Sequence, residues 1–412
     1  MTRRRTPPRR AGALAALLLA VLAVGCGGGS EEASRVTRTD SAGVEIVESA
    51  GEGWSPGSAW ELADVPAVEI GGAAGPEDER LFRVRDAARL SDGRFVVLNA
   101  GSQELRIFGA GGSHLRSVGS EGEGPGEFRS LARMAVSGDT IHAFDRSARR
   151  VSVFLADGTL VRTFTLERPR ERAFPSYVGR LPDGSIAARA TDFSDGLEGS
   201  ETQVVRRPAL FFVHGPDGAP RDSLASFPGQ RRLVRRSGNA IQIRTLPFEP
   251  RPVAAVGEDR IYLGDGREHA IDVRSADGRL LRSLRVDREP EPVTDDLREA
   301  YVRDRLDRTE DEGARRSLRE LYGEMPFAER VPAYTDLLVD EVGNLWVEEP
   351  TLPGDSARTW TVFDTAGTLL GPVAMPPRFA LMAAGEDWVL GRREDELGVE
   401  RVELIPLEKP GR

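Results

Sequence analysis

The feature that most restricts what this chain can become is a unit that keeps returning along it. One copy runs Ala88-Arg89-Leu90-Ser91-Asp92-Gly93-Arg94 and then Phe95-Val96-Val97-Leu98. It continues through Leu105-Arg106-Ile107-Phe108, a Gly111-Gly112 turn, and Leu115-Arg116-Ser117-Val118. In physical terms this is strand, tight turn, strand, loop, strand, tight turn, strand. Asp-Gly between apolar runs is a hairpin signal, because glycine accepts the positive φ that such turns demand. The second copy repeats every part in order, with Met134 to Val136, Gly138-Asp139, Ile141 to Phe144, Val151 to Phe154, Asp157-Gly158 and Leu160 to Phe164. Further copies carry Asp183-Gly184 with Asp217-Gly218, then Asp277-Gly278, then Gly343-Asn344 with Ala366-Gly367. A shorter last copy holds Phe379 to Met382, Trp388 to Leu390 and Val399 to Ile405.

Four strands in roughly 40–50 residues is the content of one propeller blade. Six copies predict an all-β, six-bladed β-propeller over residues 43–410, with seven blades as the other count the spacing allows. The stretch Val44 to Ile70 has apolar pieces but no full unit, and is expected to supply the outer strand that closes the last blade. Closure of this kind hides sheet edges that would otherwise template aggregation. Two insertions break the period. Asp192 to Arg207 reads as a polar loop. Thr294 to Gly323 reads as a small helical insertion, two short helices on one end of the ring. Its signals are a capping box at Thr309-Glu310-Asp311-Glu312, the pairs Asp311/Arg315 and Glu312/Arg316, and an apolar stripe at Leu318, Leu321 and Tyr322.

The N-terminus has a different character. Arg3, Arg4, Arg5, Arg9 and Arg10 precede an apolar run from Ala11 to Val24, broken only by Gly12. A membrane-spanning helix needs about 20 apolar residues, so this run suits the core of a signal peptide. It ends in Leu22-Ala23-Val24-Gly25-Cys26, which resembles the lipobox of bacterial lipoprotein precursors, with Ala23 where Leu is commoner. The resemblance implies diacylglycerol on the sulfur of Cys26 and cleavage between Gly25 and Cys26. Residues 1–25 are then a signal peptide, and 26–42 a lipidated cysteine with a flexible, Gly-rich tether. The expected location is the cell envelope, attached to the membrane by lipid. Gly27 rather than Asp after the cysteine leans toward the outer membrane or the periplasmic face. Cys26 is the only cysteine, so the body can hold no disulfide and needs a large core instead.

Between the first two copies lies Gly122-Glu123-Gly124-Pro125-Gly126-Glu127-Phe128. Together with Ala143-Phe144-Asp145 and Arg149-Arg150-Val151-Ser152-Val153-Phe154, it resembles the NHL-like six-bladed propellers. In those a GxGPGEF segment links one blade's outer strand to the next blade's inner strand. The resemblance implies the fold and leaves activity open, since propellers host hydrolases, lyases, sensors and scaffolds alike.

The formal charge is −10, and removing the five arginines of residues 1–25 leaves −15. An acidic body with scattered arginines argues against nucleic acid as a partner. The glycine-rich loop fits neither GxxxxGK[ST] nor a strand-to-helix dinucleotide turn. No GxSxG elbow is present. His114, His142, His214 and His269 show no metal-ligand spacing. Gluconolactonase-like propellers gather Glu, Asn and Asp at the channel mouth around calcium, and Asn99, Asp145, Asp265 and Asp340 lie near strand ends, where they are also ordinary turn residues. Trp346, Trp360 and Trp388 read as blade-packing aromatics. Two function classes follow. The favoured one is a non-catalytic binding scaffold at the envelope, with a protein, peptide or glycan ligand and no cofactor. The alternative is a metal-assisted, calcium-type lactonase or lyase of the six-bladed kind.

Overall fold

The computed structural model describes residues 36–410, apart from 52, 56, 74, 193–201 and 238–239. Cys26, the basic segment and the apolar run lie outside the described residues.

Among the described residues the repeats form six blades, as the repeat predicts, each a sheet whose strands follow one another outward from a central channel. The innermost strands are Val84–Arg89, Leu131–Ser137, Ala173–Arg180, Val253–Gly257, Asp336–Val339 and Phe379–Ala384. Each packs against the next, and the sixth packs against the first. The Asp-Gly turns explain themselves chemically. Gly93, Gly158, Gly184, Gly218 and Gly278 all have φ between 84° and 91°. The aspartate before each accepts the amide two residues on, as Asp157 does from Thr159 N at 2.8 Å and Asp183 from Ser185 N at 2.9 Å. The amide and hydroxyl of Thr159 hold the Asp157 carboxyl below its ordinary pKa, and the hydroxyl and amide of Ser185 do the same for Asp183.

The ring closes by joining the two ends of the propeller. Val68–Gly71 pairs antiparallel with Glu400–Glu408 as the outer strand of blade 6, and Glu61–Leu62 pairs further along the same strand. A second seam joins blade 6 to blade 1, where Glu400 accepts Val84 N at 2.7 Å and Arg392 at 3.0 Å, while Arg392 also donates to Val84 O at 3.1 Å. The core lies between blades. Phe95, Phe108, Val97, Ile70 and Leu390 meet at that same seam, all fully buried. Each such side chain contributes roughly 2–3 kcal/mol relative to exposure.

The structure corrects three expectations. Only the later part of Val44 to Ile70 closes the last blade. Val44–Ser49 instead runs parallel to Leu280–Val286 on the outer edge of blade 4, with Val36–Ser41 folded back on it. Residues 36–41, expected in the tether, are therefore a strand. Second, part of the loop at 192–207 is the strand Thr202–Arg206, which with Arg231–Ser237 and Ala240–Thr245 makes a separate three-stranded sheet inserted around blade 3. Third, the helices are α1 (Asp295–Asp307) and α2 (Glu312–Glu324), but the cap of α2 is Asp311, which accepts Ala314 N at 2.7 Å, and not Thr309. Glu312 pairs with Arg319 at 3.1 Å and Arg315 at 3.7 Å rather than with Arg316. Both excursions pack on each other, through Leu233, Leu246 and Met325 and through an aromatic group of Phe248, Tyr301, Tyr322 and Phe327.

Closure makes a testable demand. Ile70→Ala should lower the unfolding free energy by about 3 kcal/mol in a urea titration, the cost of a cavity at a sealed seam. Val65→Ala, a few residues away but 73% exposed, should change it by less than about 0.5 kcal/mol.

Candidate functional site

Second strands run antiparallel to the inner ones, so the start of an inner strand and the end of a second strand reach the same rim. Side chains from every blade converge there on the channel, whose cavity is about 660 Å³. Part of the wall is apolar, with Val253, Leu337, Leu381 and Met382. At the rim it is charged. Arg85 and Asp86 come from blade 1, Arg133 from blade 2, Arg189 from blade 3, and Arg251 from the approach to blade 4. Asp336, Glu348 and Arg358 come from blade 5, and Arg392 from blade 6.

The acids are unevenly shared. Arg251 binds Asp336 at 3.0 Å and donates to Thr335 O at 2.9 Å. Arg358 binds Glu348 at 2.5 Å, and Arg392 binds Glu400 at 3.0 Å. Among the described residues, Arg189 reaches only a carbonyl, Pro252 O, at 3.0 Å. Burial, then the charges of Arg251 and Arg133, push the pKa of Arg189 down. Asp86 accepts Met134 N and Ala87 N, both at 3.1 Å. Burial nevertheless raises its pKa to about 6, against the opposing pull of Arg133 and of those two amides. Tyr177 and Trp360, 2% and 4% exposed, line the same channel. The Tyr177 hydroxyl and the Trp360 indole nitrogen have no hydrogen-bond partner among the described residues.

The residues singled out from sequence do not meet. Asn99 accepts Phe82 N at 2.7 Å and donates to Ser102 at 2.7 Å. Asp145 occupies the equivalent place in blade 2, accepting Arg129 N at 2.5 Å and Ala148 N at 2.9 Å. Asp340 is saturated by Asn344 N, Asn344 Nδ2 and Trp346 Nε1 at 2.7, 2.8 and 3.0 Å. Asp265 holds Arg267. All four organise loops. The histidines sit apart as well. His142 is buried in blade 2 and His269 lies against Arg288, and burial lowers both pKa values to about 4. His214 meets Glu167 O at 3.0 Å, and His114 meets Asp78 at 3.2 Å. Among the described residues, no group of three or more His, Cys, Asp or Glu is placed to hold a metal ion. Trp346, Trp360 and Trp388 are buried between blades. The rim arginines carried no sequence signal, because arginine is spread along the whole chain and only ring geometry selects six of them.

A family model described as a 6-bladed beta-propeller, DUF5128, matches residues 77–172, the span of blades 1 and 2. No curated protein matches the chain. Among solved structures the chain is similar to a candidate exported protein of Bacteroides fragilis, at 12% identity and a TM-score of 0.48, covering 88% of this chain and 99% of that one. It is similar to virginiamycin B lyase from Staphylococcus aureus at 9% identity and a TM-score of 0.40, covering 85% and 100%. A gluconolactonase from Xanthomonas campestris gives 15% identity and a TM-score of 0.38, covering 86% and 99%. The six-bladed architecture rests on the strand pairing and the family model.

The raised pKa of Asp86 has a definite sign. Its folded value, about 6, exceeds the ordinary 3.8, so ionisation costs the folded state stability as pH rises through that window. Asp86→Asn should gain on the unsubstituted protein by on the order of 1 kcal/mol at pH 8, after screening in the open channel, and by little at pH 4. Urea titrations at the two pH values check this. An equal effect at both would mean that Asp86 is not perturbed.

Proposed function

We propose that this is an NHL-like propeller lipoprotein of the bacterial envelope, anchored through Cys26, which binds a peptide, glycan or protein segment at its channel mouth without converting it. The basic residues Arg3 to Arg10, the apolar run and the sole cysteine support the anchor. The NHL-like assignment is supported by the position of Gly122–Phe128, between the outer strand His114–Val118 and the inner strand Leu131–Ser137. In that loop Glu127 accepts Gly124 N at 2.7 Å and Phe128 is fully buried.

One observation carries the binding role. The mouth concentrates polar side chains from five blades and from Arg251 at the approach to the remaining one, while the carboxylates and amide best suited to a metal are committed to loop hydrogen bonds. A rigid mouth built on strands with a mixed charged and aromatic wall suits recognition. Hydrolysis or elimination would need a nucleophile beside a base, or converging metal ligands.

Two measurements test this. In cells, Cys26→Ser should abolish incorporation of labelled lipid and leave the precursor uncleaved; continued labelling would remove the anchor. The purified body should turn over no lactone, ester or glycoside above background, with calcium, with zinc or with chelator. Turnover that a chelator abolishes would replace binding by metal-assisted lactonase or lyase chemistry.

A further inference from the structure

The sheet inserted around blade 3 brings a further arginine beside the mouth. Arg232, on Arg231–Ser237, lines a small cavity of about 50 Å³ with Arg189, Arg207 and Arg251. Arg189 and Arg251 also face the channel, so the cavity and the mouth share a wall. Arg133 stands on the channel side of the same group. Among the described residues, no acidic side chain lines the small cavity. Among them, too, Arg133, Arg189 and Arg232 form no ion pair with a carboxylate. The third carboxylate of the channel, Glu348, is held by Arg358, so the four guanidinium groups of Arg133, Arg189, Arg232 and Arg251 share Asp336 and Asp86, an excess of two positive charges when both acids are ionised.

That excess is costly. Like charges repel, and the part-burial of Arg189, Arg232 and Arg251 removes water that would screen them. It also stands in a chain whose overall formal charge is −10. A ligand of two negative charges would cancel it. Arginine forks suit such a ligand, because each presents paired N–H donors that match the oxygens of a phosphate. A carboxylate offers one charge and two oxygens, whereas a phosphomonoester offers nearly two charges and three terminal oxygens. The Tyr177 hydroxyl and the Trp360 N–H, which line the same channel, are further donors without a hydrogen-bond partner among the described residues.

We propose that the mouth binds a phosphomonoester, its dianionic group held by Arg133, Arg189, Arg232 and Arg251 and the rest of the ligand lying in the channel beside Tyr177 and Trp360. This deepens the binding role proposed above and rests on it. The phosphate group can belong to a soluble ester or to a lipid headgroup, and the two are separable.

The experiment is calorimetric titration of the full chain in detergent with glycerol 3-phosphate, inorganic phosphate and acetate at low salt. Both phosphates should bind at least tenfold more tightly than acetate. Arg189→Gln and Arg133→Gln should each weaken phosphate binding at least tenfold, while Arg303→Gln, exposed on α1, leaves it unchanged. Arg133 forms no ion pair among the described residues, so its variant should keep the parent melting temperature even if the Arg189 variant does not. Capture by phosphatidic acid vesicles but not by the soluble ester would keep the phosphomonoester chemistry and assign it to a lipid headgroup. Equal binding of acetate and phosphate, or full affinity in folded Arg133→Gln, would overturn the proposal. If phosphate fails to bind and the protein still turns over no substrate, the ligand class falls while the binding role stands. Chelator-sensitive turnover would remove the binding role itself.

Discussion

A sheet that ends in open edges must satisfy them or expose them, and this molecule satisfies the critical one by pairing Val68–Gly71 with Glu400–Glu408. That ladder ties residues more than three hundred positions apart in sequence. Blades 1 and 6 are held to each other by it and by the Glu400–Arg392–Val84 bonds beside it. Without closure the inner strands would not form a ring, and no common rim would exist. The arginine group depends on that ring directly, because its members come from three successive blades and an inserted sheet.

Local chemistry made much of the fold legible. At five of the turns that need a positive φ and an amide acceptor, the chain offers Asp-Gly, and the aspartate carboxyl accepts from two residues on. These turns mark out the blades by local sequence alone. The parallel pairing of Val44–Ser49 with Leu280–Val286 leaves no such mark. Parallel partners are joined by no tight turn, so nothing near either strand announces the other. The inserted sheet was hidden for a related reason. Its strand Arg231–Ser237 mixes arginines with Leu233 and Val234, a pattern that also suits an exposed loop.

The candidate site was the least legible part. Asn99, Asp145 and Asp340 were plausible ligands because they sit at strand ends, and strand ends are also where loops need acceptors. The structure commits them to the loops. Arg133, Arg189 and Arg232 looked like background in a chain whose cations are nearly all arginine. They gain meaning only when the ring sets them around the channel mouth and the small cavity that shares its wall. Arg358 and Arg392, on the same rim, keep acids of their own and read as structural.

The proposed oxyanion seat at one mouth of the channel exists only if the ring is closed. Its most direct test is anomalous diffraction from crystals soaked in tungstate, a tetrahedral dianion visible by its own scattering. The strongest anomalous peak is expected between Arg189 and Arg251, within hydrogen-bond distance of their guanidinium nitrogens. A mouth empty of tungstate, with the anion bound at other surface arginines instead, would contradict it.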